Sequence, residues 1–222
     1  HMTGIHQALI SSNSINLFLE ATSTGTEATA VTSHVVTLPT LLANRLVMVV
    51  WAHRGGAVNV TKPTGWNITW NNLSNGDSQL WGMFYRVCDG SEGTTVTFTT
   101  PSTVRAAWLV YSFVNQQLST MNAVTDFLTP PAANNAPDPP LYTDASQYYG
   151  SVAVALASNH LTTTNSYPAN YNQGQLQVNG GFNTTGFLLT GAYLLTDGTS
   201  FDPGAFGISA TVQTAAATIV VR

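Results

Sequence analysis

The residues that could do chemistry are few and lie far apart along the chain. His53 and Arg54 stand side by side after an apolar segment and before two glycines, so the imidazole could act as a base beside an anion-holding guanidinium. No nucleophile motif such as Gly-x-Ser-x-Gly accompanies them. We therefore interpret the pair as polar residues that close a strand before a glycine turn.

Acidic residues are densest around Asp77, Asp89 and Glu92. Such a group is typical either of the paired carboxylates of a glycosidase or of a calcium loop. Asp89 and Asp197 each precede a glycine, one in each half of the chain, which favours a structural turn at both places. The five histidines, including His1, are too widely spaced for a catalytic zinc motif. We predict no catalytic residue and no cofactor, and the sequence leaves a metal ion undetermined.

An aromatic ring among neutral polar residues indicates a different chemistry, the binding of sugars. Trp70 lies in an asparagine-rich segment, with Asn71 beside it and Asp77 a few residues further on. A flat ring flanked by amide and carboxylate groups presents an apolar face and hydrogen-bonding partners together. We predict that Trp70 is exposed, and that Trp70, Asn71 and Asp77 contact a glycan or a protein partner.

Composition limits the classes of partner. Charged residues make up 7% of the 222 residues and the net charge is −4, where soluble domains usually carry about 25% charged residues. The six lysines and arginines form no basic stripe, so we expect no nucleic-acid binding. The apolar runs are shorter than the roughly 20 residues of a membrane-spanning helix. Cys88, the single cysteine, excludes an intrachain disulfide and is predicted to be buried.

The elements that must position these residues are β-strands. Short segments rich in β-branched and aromatic residues are bounded by turn formers, and no segment keeps a helical apolar period over three turns. Turns are predicted at Lys62-Pro-Thr-Gly65, Ser74-Asn-Gly-Asp77, Cys88-Asp-Gly-Ser91 and Thr196-Asp-Gly-Thr199. The predicted strands cover residues 32–38, 46–52, 80–88, 95–99, 106–114, 151–157, 186–195, 207–212 and 216–221.

An internal repeat organises these strands. Pro63-Thr-Gly-Trp-Asn67 matches Pro168-Ala-Asn-Tyr-Asn172, and the strand at 46–52 matches residues 151–157, both at an offset of 105 residues. Asp89-Gly-Ser91 matches Asp197-Gly-Thr199 at an offset of 108, and residues 106–110 match 215–219 at 109. Because the repeat reproduces them, Trp66 and Tyr171 are predicted to be core aromatics that anchor a loop.

The repeat predicts the fold. One half alone would expose an apolar sheet face, at a cost of about 25 cal/mol per Å². We therefore predict an all-β, two-sheet β-sandwich in which the halves cover each other, with a jelly-roll topology of about eight strands. Residues 1–16 are predicted to be a tag scar and an N-terminal arm, and residues 17–222 a single domain. Its halves cover about residues 31–128 and 141–222, joined by a proline-rich crossover at 129–140, which could instead be a linker between two domains.

Four segments of the first half form a recognisable combination. They are Pro63-Thr-Gly-Trp66, Trp81-Gly-Met-Phe-Tyr-Arg-Val-Cys-Asp-Gly-Ser-Glu-Gly93, and the strands Thr95-Val-Thr-Phe-Thr99 and Ala106-Ala-Trp-Leu-Val-Tyr-Ser-Phe113. This combination resembles β-sandwich virion proteins of tailed bacteriophages. The sequence departs from that pattern in the segment Ser112-Phe-Val-Asn115.

The resemblance implies a non-enzymatic particle subunit, either a capsid decoration or a protein of the tail or fibre. Such a subunit would form a homo-oligomer, for example a trimer, bind other virion proteins and be found in the virion. It would be made in the host cytoplasm, and residues 3–12 lack the basic region and apolar core of a signal peptide. The alternative is a carbohydrate-binding or host-adhesion module on the same sandwich.

Overall fold

The structure is a computed structural model that describes residues 17–55, 58–74, 79–114, 121–126, 133–159, 161–181 and 186–222. About 70% of the described residues lie in strands, and these residues form thirteen strands and no helix, which confirms the predicted all-β class. The strands are β1 (Phe18–Thr37), β2 (Leu46–Arg54), β3 (Asn67–Ser74), β4 (Gln79–Val87), β5 (Thr95–Val114), β6 (Met121–Asp126), β7 (Ala133–Asn134), β8 (Tyr142–Ser158), β9 (Thr164–Ser166), β10 (Gln173–Gly180), β11 (Phe187–Phe201), β12 (Gly207–Ile208) and β13 (Val212–Val221).

Two large antiparallel sheets face each other, which confirms the predicted β-sandwich. Sheet 1 has the strand order β1-β5-β2-β4-β3, and sheet 2 has the order β10-β11-β8-β13-β6. The short strand β7 pairs with β13, and β9 pairs with β12. Each large sheet is built from strands of one continuous part of the chain. The predicted jelly roll of about eight strands is therefore wrong, because in a jelly roll both parts of the chain contribute strands to both sheets.

The two sheets repeat one strand order. Read from β1 and from β6, the orders are β1-β5-β2-β4-β3 and β6-β13-β8-β11-β10, so β2 corresponds to β8 and β4 to β11. The packing is reciprocal as well, because β1 lies against β10 while β3 lies against β6. This arrangement is the one that two copies related by a twofold rotation adopt. The predicted repeat is confirmed at the level of topology.

Ladder register fixes the correspondence of individual residues. Val50 pairs with Met83 and Leu109, and Leu156 pairs with Leu189 and Ala215, all six within the core between the sheets. The equivalent positions in the two halves are 50 and 156, 83 and 189, and 109 and 215. Each pair is separated by 106 residues. The predicted offset of 105 for residues 46–52 is therefore wrong by one residue, and the predicted offset of 109 for residues 106–110 is wrong by three. A shift of one would turn every side chain to the opposite face of its sheet.

The turn before each edge strand is also repeated. The Trp66 amide donates to the Pro63 carbonyl (3.3 Å), and the Tyr171 amide donates to the Pro168 carbonyl (3.1 Å). The residue before each aromatic has a positive φ, 81° at Gly65 and 69° at Asn170. Trp66 and Tyr171 are each 2% exposed, which confirms that both are core aromatics.

Both faces of both sheets are covered. The large core between the sheets takes Met48 and Val50 from β2 and Val154 and Leu156 from β8. A second core lies on the outer face of sheet 1 around Trp51, and a third lies on the outer face of sheet 2 around Tyr171 and Phe206. The near-continuous apolar sequence of β2 follows from this, since neither of its faces meets water.

The two longest strands of sheet 1, β1 and β5, bend so that their ends cover the outer core of this sheet. Register shifts between Glu27 and Val31 and between Val31 and Ser33 divide β1 into two parts. Beyond the bend, residues 33–37 pair with residues 95–99; we call this pair the outer ribbon. Phe98 of the ribbon packs against Trp51, Trp66 and Phe84, with ring centroids 5.1–5.7 Å apart.

Two local predictions differ from the structure. Asp197 and Gly198 lie inside β11, at a register shift opposite β8, so the predicted turn at 196–199 is wrong. The extended first part of β8 provides backbone partners up to Phe201, and these prolong β11 past the Asp-Gly pair. Residues 121–126, assigned to the first half, form β6 and join sheet 2. Of the predicted crossover at 129–140, residues 133–140 are described and include β7.

Candidate functional site

A polar cluster lies where β1 and β5 bend away from sheet 1. Nδ1 of His34 pairs with Oε2 of Glu27, and Nε2 of His34 lies 3.1 Å from Oγ1 of Thr100. The His34 side chain is fully buried, whereas that of Glu27 is 23% exposed. A carboxylate, an imidazole and a hydroxyl therefore stand in the order that hydrolases use to activate a nucleophile.

The hydrogen-bond directions in this row are those of a structural network. The Thr100 hydroxyl donates to the Ser102 carbonyl oxygen (2.8 Å), because a carbonyl oxygen can only accept. Nε2 of His34 must then carry the proton in its contact with Thr100. A protonated nitrogen cannot take a proton from the hydroxyl, so Thr100 has no base. Nδ1 of His34 is in contact with the Glu27 carboxyl group.

His53 lies beside this row and is neutral. The Trp51 indole Nε1 donates to Nδ1 of His53 (3.1 Å), so this ring nitrogen carries no proton. Burial of the imidazole, together with the charge of His34, lowers the pKa of His53 to about 4, and the Val58 backbone offsets a part of this effect. Trp51 also joins the two histidines physically, since its ring packs edge-on to His34 at 4.9 Å.

His53 and Arg54 end β2, which confirms the prediction that they close a strand. Because successive side chains of a strand point to opposite faces, the two cannot act together on one ligand. His53 is fully buried, and Arg54 is half-buried. The structure therefore does not bring together a base and an anion-holding arginine at this position.

A second polar group connects two of the four segments that carry the resemblance. Arg86 of β4 binds Asp89 through Nη2 (2.8 Å) and Glu92 through Nε (3.0 Å). Its guanidinium also lies against the Pro63–Trp66 turn, because a Cβ atom at Gly65 would stand 3.3 Å from Nη1. We call Gly65, Arg86, Asp89 and Glu92 the Arg86 corner.

The carboxylates of the Arg86 corner are occupied by the loop itself. Glu92, whose side chain is 2% exposed, accepts from the amides of Asp89 (2.8 Å) and Gly90 (3.0 Å). Hydrogen bonds from the Ser91 hydroxyl and amide, and then the charge of Arg86, lower the pKa of Asp89. In the described part of the chain, no three His, Cys, Asp or Glu residues are grouped so that they could hold a metal ion.

Trp70 does not have the exposure predicted for it. Its side chain is 8% exposed and lies in the core between the sheets, edge-on to Trp81 with ring centroids 5.5 Å apart. The reason is local, because β3 has register shifts on both sides of Trp70 that turn its ring inward while Ile68 stays 43% exposed. An indole in this position offers no free face for a sugar to stack on.

The neighbours of Trp70 have different placements. The Asn71 side chain accepts from the Val60 amide (3.3 Å) and donates to the Val60 carbonyl (2.8 Å), so it fastens the loop before β3 to that strand. Asp77 lies outside the described residues. That Asn71 and Asp77 contact a partner stays a prediction.

Sequence reasoning missed Glu27 and His34. In a regular strand, two residues seven positions apart lie on opposite faces. The register shifts between Glu27 and Ser33 bring their side chains together. The only signal in the sequence is weak, an ionisable pair inside an otherwise neutral β-branched segment.

Comparisons with protein-family models, with curated proteins and with solved structures find no match. The resemblance to phage virion proteins therefore depends on the motif residues alone. The described residues contain no helix that is long and apolar enough to cross a membrane.

Proposed function

We propose that this chain is a non-enzymatic structural subunit of a tailed-phage particle, on its surface or in its tail or fibre, that acts through protein–protein contacts. The Arg86 corner is the observation that carries the proposal. Two of the four segments that resemble phage β-sandwich proteins meet in it, with Gly65 packed on Arg86, and Asp89 and Glu92 bound to that guanidinium. The motif is therefore a folding element, as a scaffold protein requires.

The use of the polar side chains supports the same proposal. The Thr100 hydroxyl is directed to a backbone carbonyl, Asn71 fastens a loop, and Glu92 caps loop amides. These groups stabilise the sandwich instead of facing a substrate. The low content of charged residues, 7%, favours contact with other subunits through neutral strand edges and apolar side chains.

Quantitative mass spectrometry of purified particles, combined with light scattering of the isolated full-length chain, tests the proposal. We expect a fixed stoichiometry relative to the major capsid or tail protein, and a discrete oligomer or saturable binding to particles that lack the chain. Absence from purified particles would overturn the proposal. Saturable binding to defined glycans, competed by the free sugar and combined with that absence, would assign the chain to the adhesion modules.

A further inference from the structure

The polar cluster at the bend lies where the outer ribbon joins sheet 1. Glu27 stands before the bend on β1, His34 belongs to the ribbon, and Thr100 follows the ribbon strand of β5. The ribbon covers the outer core of sheet 1, where Trp51 and Trp108 stack with centroids 5.5 Å apart. A change in the cluster therefore affects how firmly the outer ribbon covers this aromatic surface.

The hydrogen bonds of the cluster require that His53 is unprotonated at the nitrogen facing Trp51. Glu27 contacts Nδ1 of His34, and His53 carries no proton on the nitrogen that faces Trp51. A proton added to that nitrogen would set two N–H groups against each other, because the indole can only donate. It would also place a second cation beside His34, and like charges in a buried site repel strongly.

Charged groups near the cluster are few, because the Arg86 corner lies towards the other end of β2, where Arg86 pairs with Val47. Among the described residues, β1 contributes Glu27 and His34 and β2 contributes His53. Arg54 of β2 and Arg105 of β5 lie at paired positions of the ladder, and their side chains point to the opposite face. The facing positions of β4 and β5, Leu80 and Ala106, carry no charge. Neither ladder neighbour of His53 is therefore a carboxylate that could compensate an added proton.

We propose that the cluster is an acid-sensitive latch: the contact between Glu27 and His34 holds the outer ribbon on sheet 1, and protonation of His53 releases the ribbon. Release of the ribbon exposes the aromatic surface around Trp51 and Phe98. This inference does not depend on the proposed function.

The direction of the pH dependence follows from His53. Its pKa is lowered from 6.5 to about 4 while the ribbon is closed. A released ribbon exposes the imidazole, so the open form binds the proton more strongly, and the closed form loses stability as the pH falls from 6.5 towards 4. The shift permits a change on the order of 100-fold in the ratio of open to closed ribbon across this range.

Hydrogen exchange of the whole chain, followed by mass spectrometry, measures this ratio. Peptides from residues 33–37 and 95–99 report the ribbon, and peptides from residues 152–157 of β8 provide an internal reference at each pH. We expect the ribbon to lose protection relative to β8 by a factor of at least about 10 between neutral pH and about pH 4. Loss of protection in ribbon and β8 together would overturn the latch.

Two variants and a control test the residues. His53→Asn keeps an acceptor near the Trp51 indole but cannot be protonated, so it should keep the ribbon closed at about pH 4. Glu27→Gln should release the ribbon already at neutral pH. Glu20→Gln, which removes the other carboxylate of β1 and its bidentate pair with Arg45, should behave as the wild type. An unchanged pH profile in His53→Asn refutes the proposal even if Glu27→Gln fails to fold.

Discussion

Gly191 tests the packing of one sheet on the other. It lies in β11, and a Cβ atom there would stand 2.6 Å from the Tyr111 hydroxyl oxygen of sheet 1 and 3.1 Å from Leu109 Cδ1. Tyr111 cannot yield easily, because it is fully buried, stacks on Phe113 and donates to the Gly174 carbonyl (3.2 Å). Gly191→Ala should therefore force the two sheets apart locally.

The cost can be set from general values. Overpacking a well-filled core by one methyl group typically costs about 1–3 kcal/mol. Where space permits, replacing a strand glycine by alanine stabilises by roughly 0.5–1 kcal/mol, since alanine has less backbone freedom to lose. For a chain of this size, 1 kcal/mol corresponds to about 2–4 °C in Tm. We expect Gly191→Ala to lower Tm by about 3–10 °C.

Gly198→Ala is the matched control, because Gly198 also belongs to β11 but a Cβ atom there meets nothing closer than 3.5 Å. Its Tm should stay the same or rise slightly. Thermal unfolding followed by circular dichroism and urea unfolding at 25 °C measure both variants. Equal stability of Gly191→Ala and Gly198→Ala would show that the two sheets do not approach each other as described.

Three further outcomes follow from contacts of single residues. Arg86→Ala should cost about 2 kcal/mol in urea unfolding, because the buried Glu92 carboxylate loses its cation; an unchanged midpoint would contradict the Arg86 corner. Tyr171→Phe removes the 2.8 Å hydrogen bond to the buried Ser151 hydroxyl and should cost about 1–2 kcal/mol, with fluorescence as the probe. Burial raises the pKa of the Cys88 thiol to about 12, so a disulfide reagent near neutral pH should label it only after denaturation.

The fold could be predicted because its signals are local and repeated. Each half presents a proline-led turn with a residue that tolerates positive φ before a core aromatic, Gly65 before Trp66 and Asn170 before Tyr171. Runs such as β2, apolar on both faces, indicated strands covered on both sides. The topology could not be predicted in the same way, because the order of the strands along the chain does not determine which sheet each strand joins.

The site could not be predicted, because β-bulges determine the directions in which its side chains point. Trp70 and the pair Glu27 and His34 each lie beside register shifts, where the alternation of faces along a strand fails. In a regular strand Trp70 would share the exposed face of Ile68, and Glu27 and His34 would lie apart. A bulge leaves no clear signal in residue type here, so side-chain direction could not be read from spacing.

The repeat is broken at one conspicuous place. At the offset of 106 that superposes the sheets, Arg86 corresponds to Ala192, a fully buried residue on the outer face of sheet 2. A body with true twofold symmetry looks the same from its two opposite sides, whereas this chain bears its guanidinium and two carboxylates on one side only. A molecule that contacts this charged side would therefore meet the protein in a single orientation, although its backbone is nearly symmetric.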